Sequence, residues 1–270
     1  MRDLSGQDAP PAEGFRLLRE RGGRVVDAAL LVSAVVDPAT DADWCRSELR
    51  RLADAAPPEA GPEELVEALR AAGFAGARRT YYEARNSALD YVLRERRGIP
   101  ISLAVVVIGT AECLGLEASG LNFPRHFLVD VEGLLVDPFQ MRVTTRDEWR
   151  DWLRREARTA QGRLSEADLD AAFRPAGPAD MALRMLNNLR MLREVRGDPD
   201  YALRLTDCQL ALQPDAYALH VDRADIWLAL RSLDMARREL ETALDLADGE
   251  AKDSIRTRLS ALPDEPGVAN

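Results

Sequence analysis

The chain has 270 residues, 46% of them hydrophobic, enough for one large domain or two ordinary ones with a proper core. Its 36 basic and 46 acidic residues leave a net charge of −10, which argues against non-specific nucleic-acid binding. The longest apolar run, "ISLAVVVIG", is too short to span a bilayer, so no membrane association is expected.

The N-terminus, "MRDLSGQDAPPAEG", lacks the basic start and apolar run of a signal peptide. Cys45, Cys113 and Cys208 are an odd, widely spaced set that fits a reducing compartment without disulfides. The expectation is a soluble cytoplasmic protein. His126 and His220 are the only histidines and lie far apart, so neither a catalytic nor a structural metal site is predicted. No glycine motif that would cradle a phosphate and no cofactor signature is present.

In chain order, residues 1–14 read as a disordered N-terminus, and residues 15–72 as helical. "VVDAALLVSAVVD" is apolar nearly all round and is expected to be buried. "DADWCRSELRRLADAA" and "GPEELVEALRAAG" carry apolar residues at 3–4 spacing, with Pro62 suited to a first helical turn. Residues 74–86 have no clear period and read as a long ordered loop. A helix then runs through "SALDYVLRERRG" to a stop at Gly98, and another opens at Pro100 and stops at Gly115.

From there the period changes. "LEASGLNF" and "HFLVDVEGLLVDPF" are strand-like, with Glu132 and Gly133 as the two turn residues of a hairpin. Helices return at "TTRDEWRDWLRREA" and "LSEADLDAAF", each with a capping-box start. "RPAGPAD" (174–180) reads as a linker. Beyond it the chain is helical and repeats at an interval of 34: Ala202 aligns with Ala236, Leu210 with Leu244 and Leu212 with Leu246. This resembles tetratricopeptide repeats, helix pairs that bury their apolar faces by stacking. Arg190, Arg193 and Gln209 depart from that pattern in the first copy. Trp227 is assigned to the core, His220 to the surface, and "AKDSIRTRLSAL" to a capping helix.

The hairpin has a chemical consequence. If Glu132 and Gly133 form the turn, Val129 faces Val136 and Leu128 faces Asp137. His126 then shares a face with Asp137, as its diagonal neighbour. With Pro100 at N1, Ser102 falls at about N3, where free N–H groups and the helix dipole favour developing negative charge. A nucleophile there, with a histidine oriented by an aspartate, follows the logic of a catalytic triad.

The runs "YYEARNSALDYVLRERRGIPISLAVVV", "GLNFPRHFLVDVEG" and "LLVDPF" resemble the SirB-type branch of the transglutaminase-like superfamily. In that branch the domain is followed by tetratricopeptide repeats, and the resemblance spans roughly residues 15–260. It implies an α+β fold: a transglutaminase-like domain with a small antiparallel sheet and many helices (15–175), then all-α repeats (176–264) and a C-terminal tail (265–270). In the wider superfamily a Cys, a His and an Asp form a papain-like triad for acyl transfer or amide hydrolysis. The resemblance carries those positions onto Ser102, His126 and Asp137. Serine is common at the first position in the SirB-type branch. Arg125 departs from the small residue expected between Pro124 and His126, and its bulk would narrow a cleft. Tyr81, Tyr82, Arg85 and Asn86 match a further family run. Tyr82, Arg85, Asn86 and Arg125 are candidate binding residues, with a structural role as the competing reading for Arg85 and Asn86.

A serine hydroxyl stores no anion at neutral pH and must lose its proton to a base during attack. The adopted reading is therefore a pseudoenzyme, a non-catalytic binding or regulatory protein that docks a protein or peptide. The alternative is a Ser-His-Asp amide or ester hydrolase or acyltransferase, with Ser102 as nucleophile. A third reading is an adaptor acting through its repeats alone.

Overall fold

A computed structural model describes residues 11–159, 164–192 and 197–263. The first element is α1 (Pro11–Arg21), so residues 11–14, expected to be disordered, are helical. Pro11 suits a first helical position, and Arg16 braces the helix through Glu13 and Glu20. Residues 1–10, and the tail assigned to 265–270, lie outside the described residues.

Helices α2 (Val25–Val36), α3 (Ala42–Asp54) and α4 (Pro62–Ala71) follow. Asp41 caps α3 by accepting from Trp44 N, and Pro62 opens α4. The loop expected over 74–86 contains the two-residue strand β1 (Ala75–Gly76), and a 3-10 turn spans Ala84–Ser87. Helix α5 (Leu89–Glu95) stops three residues before the expected Gly98, because Arg96 adopts the left-handed conformation (φ 57°). Arg97 and Gly98 instead form β2 (Arg97–Gly98), parallel to β1.

Helix α6 (Pro100–Leu114) has the predicted limits, with Pro100 at N1 and Gly115 left-handed (φ 78°) at its end. Strands β3 (Ala118–Leu121), β4 (Leu128–Val131), β5 (Leu134–Asp137) and β6 (Arg142–Thr144) come next. Two helices follow, α7 (Arg146–Thr159) and α8 (Glu166–Ala171). Thr145 Oγ1 accepts from Glu148 N at 3.3 Å, and Ser165 Oγ accepts from Asp168 N at 3.2 Å, at the two predicted capping sites. The expected linker is not free chain. Its Pro175 and Ala176 form β7 (Pro175–Ala176) on the edge of the sheet, and Pro178 opens α9 (Pro178–Arg190).

The larger sheet is antiparallel, in the order β6-β5-β4-β3-β7. Val129 pairs with Val136 and Val131 with Leu134, which is the register read from the Glu132–Gly133 turn. The remaining helices are α10 (Pro199–Leu212), α11 (Tyr217–Ala229), α12 (Leu233–Leu246) and α13 (Gly249–Ser260). The fold is therefore mostly helical with a small antiparallel sheet and a helical C-terminal region, as the sequence implied. Among the described residues no helix is long and apolar enough to cross a membrane.

The chain divides into two compact units, one of residues 21–185 and one of residues 186–270 with 1–20. The first is organised around α6. Every residue from Pro100 to Ala111 is buried, and the helix contacts α2, α3, α4, α5, β3 and β4. Each fully buried Val, Leu or Ile there stabilises the fold by about 1.5–3 kcal/mol. Gly109 marks the closest approach: a Cβ at that position would lie 2.8 Å from Val26 and 2.9 Å from Leu49. Some polar groups in this interior are matched, while Thr110 Oγ1 on α6 is buried without a hydrogen-bond partner. Ser33 Oγ donates to Ala29 O at 2.8 Å and accepts the first free amide of α5, Leu89 N, at 2.7 Å. A second cluster lies under α7 and α8, where Leu121, Leu128 and Leu135 of the sheet meet Trp149, Leu153, Leu169 and Phe173.

In the C-terminal unit, α10 and α12 are fourteen-residue helices whose first and last residues stand 34 positions apart. Ala224, Ala236, Leu240, Ala243 and Ile255 form the core of α11 to α13, with Trp227 packed against it. His220, expected at the surface, is mostly buried. Its Nδ1 lies 2.8 Å from Glu239 and its Nε2 3.1 Å from Pro214 O. Two of the residues that break the repeat pattern have local partners: Arg190 pairs with Asp222, and Gln209 donates to Asn187. Arg193 lies outside the described residues.

Glu48 joins α3 to the end of α5. It accepts from Arg51 Nε and Nη2 at 2.7 Å each and from Arg96 Nη2 at 2.5 Å. These hydrogen bonds, Arg51's first, hold its carboxyl at a pKa of about 2. A carboxyl depressed in the folded state stabilises above its unfolded pKa, and that contribution is lost as pH falls through the folded value. Unfolding free energy should therefore drop as pH falls from about 4.3, the unfolded glutamate value, towards 2. Glu48→Gln should flatten this limb of a denaturant-measured stability profile while lowering stability at pH 7.

Candidate functional site

The three residues expected to form a triad arrive on three separate elements. Ser102 is the third residue of α6, Asp137 is the last of β5, and His126 lies in a turn before β4 in which its N–H donates to Phe123 O at 3.2 Å. Continuing the hairpin register places Leu128 opposite Asp137. Side-chain alternation then puts Asp137 on the sheet face of Leu121, Leu128 and Leu135, which is the face under α7 and α8.

Ser102 is 1% exposed, and its hydroxyl is fully engaged. Oγ donates to Asn86 O at 2.7 Å, has Ile99 O at 3.1 Å, and accepts from Ile99 N at 3.1 Å. The last contact satisfies an amide at the helix start, the capping role open to any first-turn serine. The oxygen also sits close to backbone, since a Cβ on Gly98 would be 2.6 Å from it. The proton of this hydroxyl therefore points at a peptide carbonyl, which cannot act as a base.

His126 is half-buried between two indoles. Its ring centroid lies 4.8 Å from that of Trp149 and 4.9 Å from that of Trp152, both edge-on. Burial lowers its pKa, the negative charge of Asp137 works in the opposite direction, and Arg184 lowers it further. The result is an imidazole biased towards its neutral form. Asp137 is 2% exposed, and its Oδ1 accepts from Phe139 N at 3.0 Å and Gln140 N at 3.1 Å, which fixes the turn after β5. Among the described residues no hydrogen bond joins Ser102, His126 and Asp137 to one another.

The candidate binding residues divide between structural and exposed positions. Asn86 is 1% exposed, and its Nδ2 donates to Thr80 O, so side chain and carbonyl together tie the loop to α6. Arg85 pairs with Glu83 at 2.5 Å and lies over the Tyr91 ring. Tyr82 is 80% exposed, and Tyr81 beside it packs edge-on against Phe139 at 6.1 Å. Arg125 does not fill a cleft. Its backbone is left-handed (φ 61°), which explains why a small residue is expected there, and its side chain reaches out to Glu156 at 2.5 Å.

Two contributors were not read from the sequence. One is the tryptophan pair around His126. The other is Arg184 of α9, which donates to Asn122 Oδ1, to Phe123 O at 3.0 Å and to His126 O at 2.5 Å. The "EWRDWL" spacing marks one helix face but not its neighbour, and Arg184 lies 58 residues from His126. Among the described residues no group of His, Cys, Asp and Glu is placed to hold a metal ion. Burial pushes the Cys45 and Cys208 thiols up to about 12, so neither is a stored thiolate.

With this geometry established, comparison with known proteins places the chain. The description "Transglutaminase-like superfamily" matches residues 42–187, more than half of the sequence, and the chain belongs to that superfamily. It is similar to a UPF0162 protein of Vibrio cholerae, 26% identical over 261 residues, covering 90% of this chain and 94% of the other. A UPF0162 protein of Xylella fastidiosa (strain Temecula1) is 34% identical over 201 residues, covering 72% and 70% respectively. Protein SirB1 of Salmonella typhimurium is 25% identical over 252 residues, covering 87% and 91%.

Two substitutions check these assignments. Ser102→Ala strands Asn86 O and Ile99 N inside the protein and should cost about 1–3 kcal/mol in urea unfolding. Arg125→Gly relieves a left-handed residue at the loss of an exposed ion pair, and should raise stability by about 0.5–1 kcal/mol. A Ser102→Ala protein as stable as the parent would sink the capping role.

Proposed function

We propose that this protein is a non-catalytic, regulatory member of the superfamily that docks a protein or peptide. Its binding surface includes the exposed aromatic loop at Tyr81 and Tyr82 and the His126 turn. The C-terminal helices, read as tetratricopeptide-like, supply a second surface of the kind stacked helix pairs offer to extended peptides.

The observation that carries this reading is the engagement of Ser102. Its proton goes to the Asn86 carbonyl at 2.7 Å, and the residue is closed to solvent. Attack would require the hydroxyl to leave that carbonyl, reach a base and find oxyanion donors, all inside a packed helix start. Asp137 supports the same reading, because it is committed to the turn amides of Phe139 and Gln140.

The serine hydrolase or acyltransferase reading has one observation in its favour, the neutral bias that burial gives His126, as a general base requires. A fluorophosphonate probe separates the two. The expected result is no labelling of the full chain at neutral pH beyond that of Ser102→Ala. Stoichiometric labelling that disappears in Ser102→Ala would overturn the non-catalytic reading.

A further inference from the structure

The guanidinium of Arg184 is built in but not neutralised. It carries five N–H donors in one plane. Nη1 spends two on Asn122 Oδ1 and Phe123 O, and Nη2 spends one on His126 O. One face of the group lies over the Phe127 ring, 5.3 Å from its centroid. What remains is Nε–H and one hydrogen of Nη2, and the Nε and Nη2 nitrogens share an edge of the guanidinium whose spacing matches the two oxygens of a carboxylate.

That edge has no acidic partner among the described residues, in contrast to other sheltered arginines of the chain. Arg46 pairs with Asp27, Arg96 with Glu48, and Arg223 with Asp207 and Glu239. Nor is the edge sealed: Arg96 Nη1 and Arg223 Nε are buried without a hydrogen-bond partner, whereas no nitrogen of Arg184 is. Burial works against the charge of Arg184, so an incoming anion would meet a guanidinium already stripped of part of its water. Tyr81, partly exposed, lies near enough for the two groups to bias each other's ionisation, and Tyr82 stands beside it.

We propose that the free edge of Arg184 receives a carboxylate of the docked peptide, a C-terminal or acidic side-chain group, with Tyr81 and Tyr82 contacting the apolar part next to it. The three loop acceptors hold the guanidinium in place, so the fork is preorganised and little side-chain entropy is lost on binding. This rests on the peptide-docking reading and names the chemistry of its ligand.

The test uses the full chain and two probes that differ only in charge, N-acetyl-L-phenylalanine and N-acetyl-L-phenylalaninamide. The Arg184 Nε–Hε cross-peak is followed by NMR during titration to about 20 mM, the concentration range suited to millimolar sites. The carboxylate should shift that peak saturably and the carboxamide should not. Arg184→Lys, which keeps the charge but loses the fork and is compared with the parent through the backbone amide peak of Phe127, should bind the carboxylate at least about tenfold more weakly. Equal shifts from both probes, or no saturable shift from either, would overturn the proposal. So would inorganic phosphate displacing the carboxylate at lower concentration, which would reassign the edge to a phosphate. The outcome is separable from the serine test. Labelled Ser102 with carboxylate binding intact removes only the non-catalytic reading, and unlabelled Ser102 without carboxylate binding removes only this one.

Discussion

The complete burial of α6 is the constraint from which the rest follows. A fifteen-residue helix with twelve consecutive buried positions has no water to satisfy its first-turn amides. Those groups must find partners within the protein, and Ser102 supplies one by accepting from Ile99 N. The same demand appears at α5, whose first amide is met by Ser33 from a neighbouring buried helix. Two serines at the centre of this unit thus do the work of water, and Ser102 is held in place by hydrogen-bond satisfaction.

The sheet and α7 together shape the surroundings of His126 and Asp137. Its face bearing Leu121, Leu128 and Leu135 is roofed by α7 and α8, and the tryptophans of α7 enclose His126 from that side. Helix α6 packs against β3 and β4 from a different set of neighbours, helices α2 to α5. Burial biases the imidazole towards its neutral form, while the Arg184 guanidinium donates to its backbone carbonyl. The His126 turn is therefore clamped through the carbonyls of Phe123 and His126.

Much of the fold was legible because its signals are local. Pro100 and Gly115 punctuate α6 unambiguously, and Glu132-Gly133 sets the hairpin register by geometry alone. Where the reading slipped, non-local pairing won. Gly98 looked like a helix stop, but pairing of residues 97–98 with 75–76 drew the chain out earlier, at the cost of a left-handed Arg96. The Pro-Gly-Pro stretch looked like a linker, yet its Pro175 and Ala176 complete the sheet beside β3. The candidate site was legible as a set of residue types. The orientation of Ser102 was not, because it is decided by the Asn86 carbonyl, sixteen residues away in a loop with no periodic signal. Arg184 was hidden for the same reason.

The small parallel bridge between β1 and β2 has a kinetic consequence. Ala75 N donates to Arg96 O and Ala77 N to Gly98 O, so residues 77–96, which include Asn86, form a loop closed at its neck by a few backbone bonds. Moving the Asn86 carbonyl away from Ser102 is then a local-unfolding event, opposed both by that neck and by the packing of the buried helix α5 that follows Asn86. A population-weighted factor multiplies any reactivity the hydroxyl could have, and each ~1.4 kcal/mol of neck stability lowers it tenfold. The serine's partner is thereby held by main chain, through two residues of strand on either side and the helix behind them.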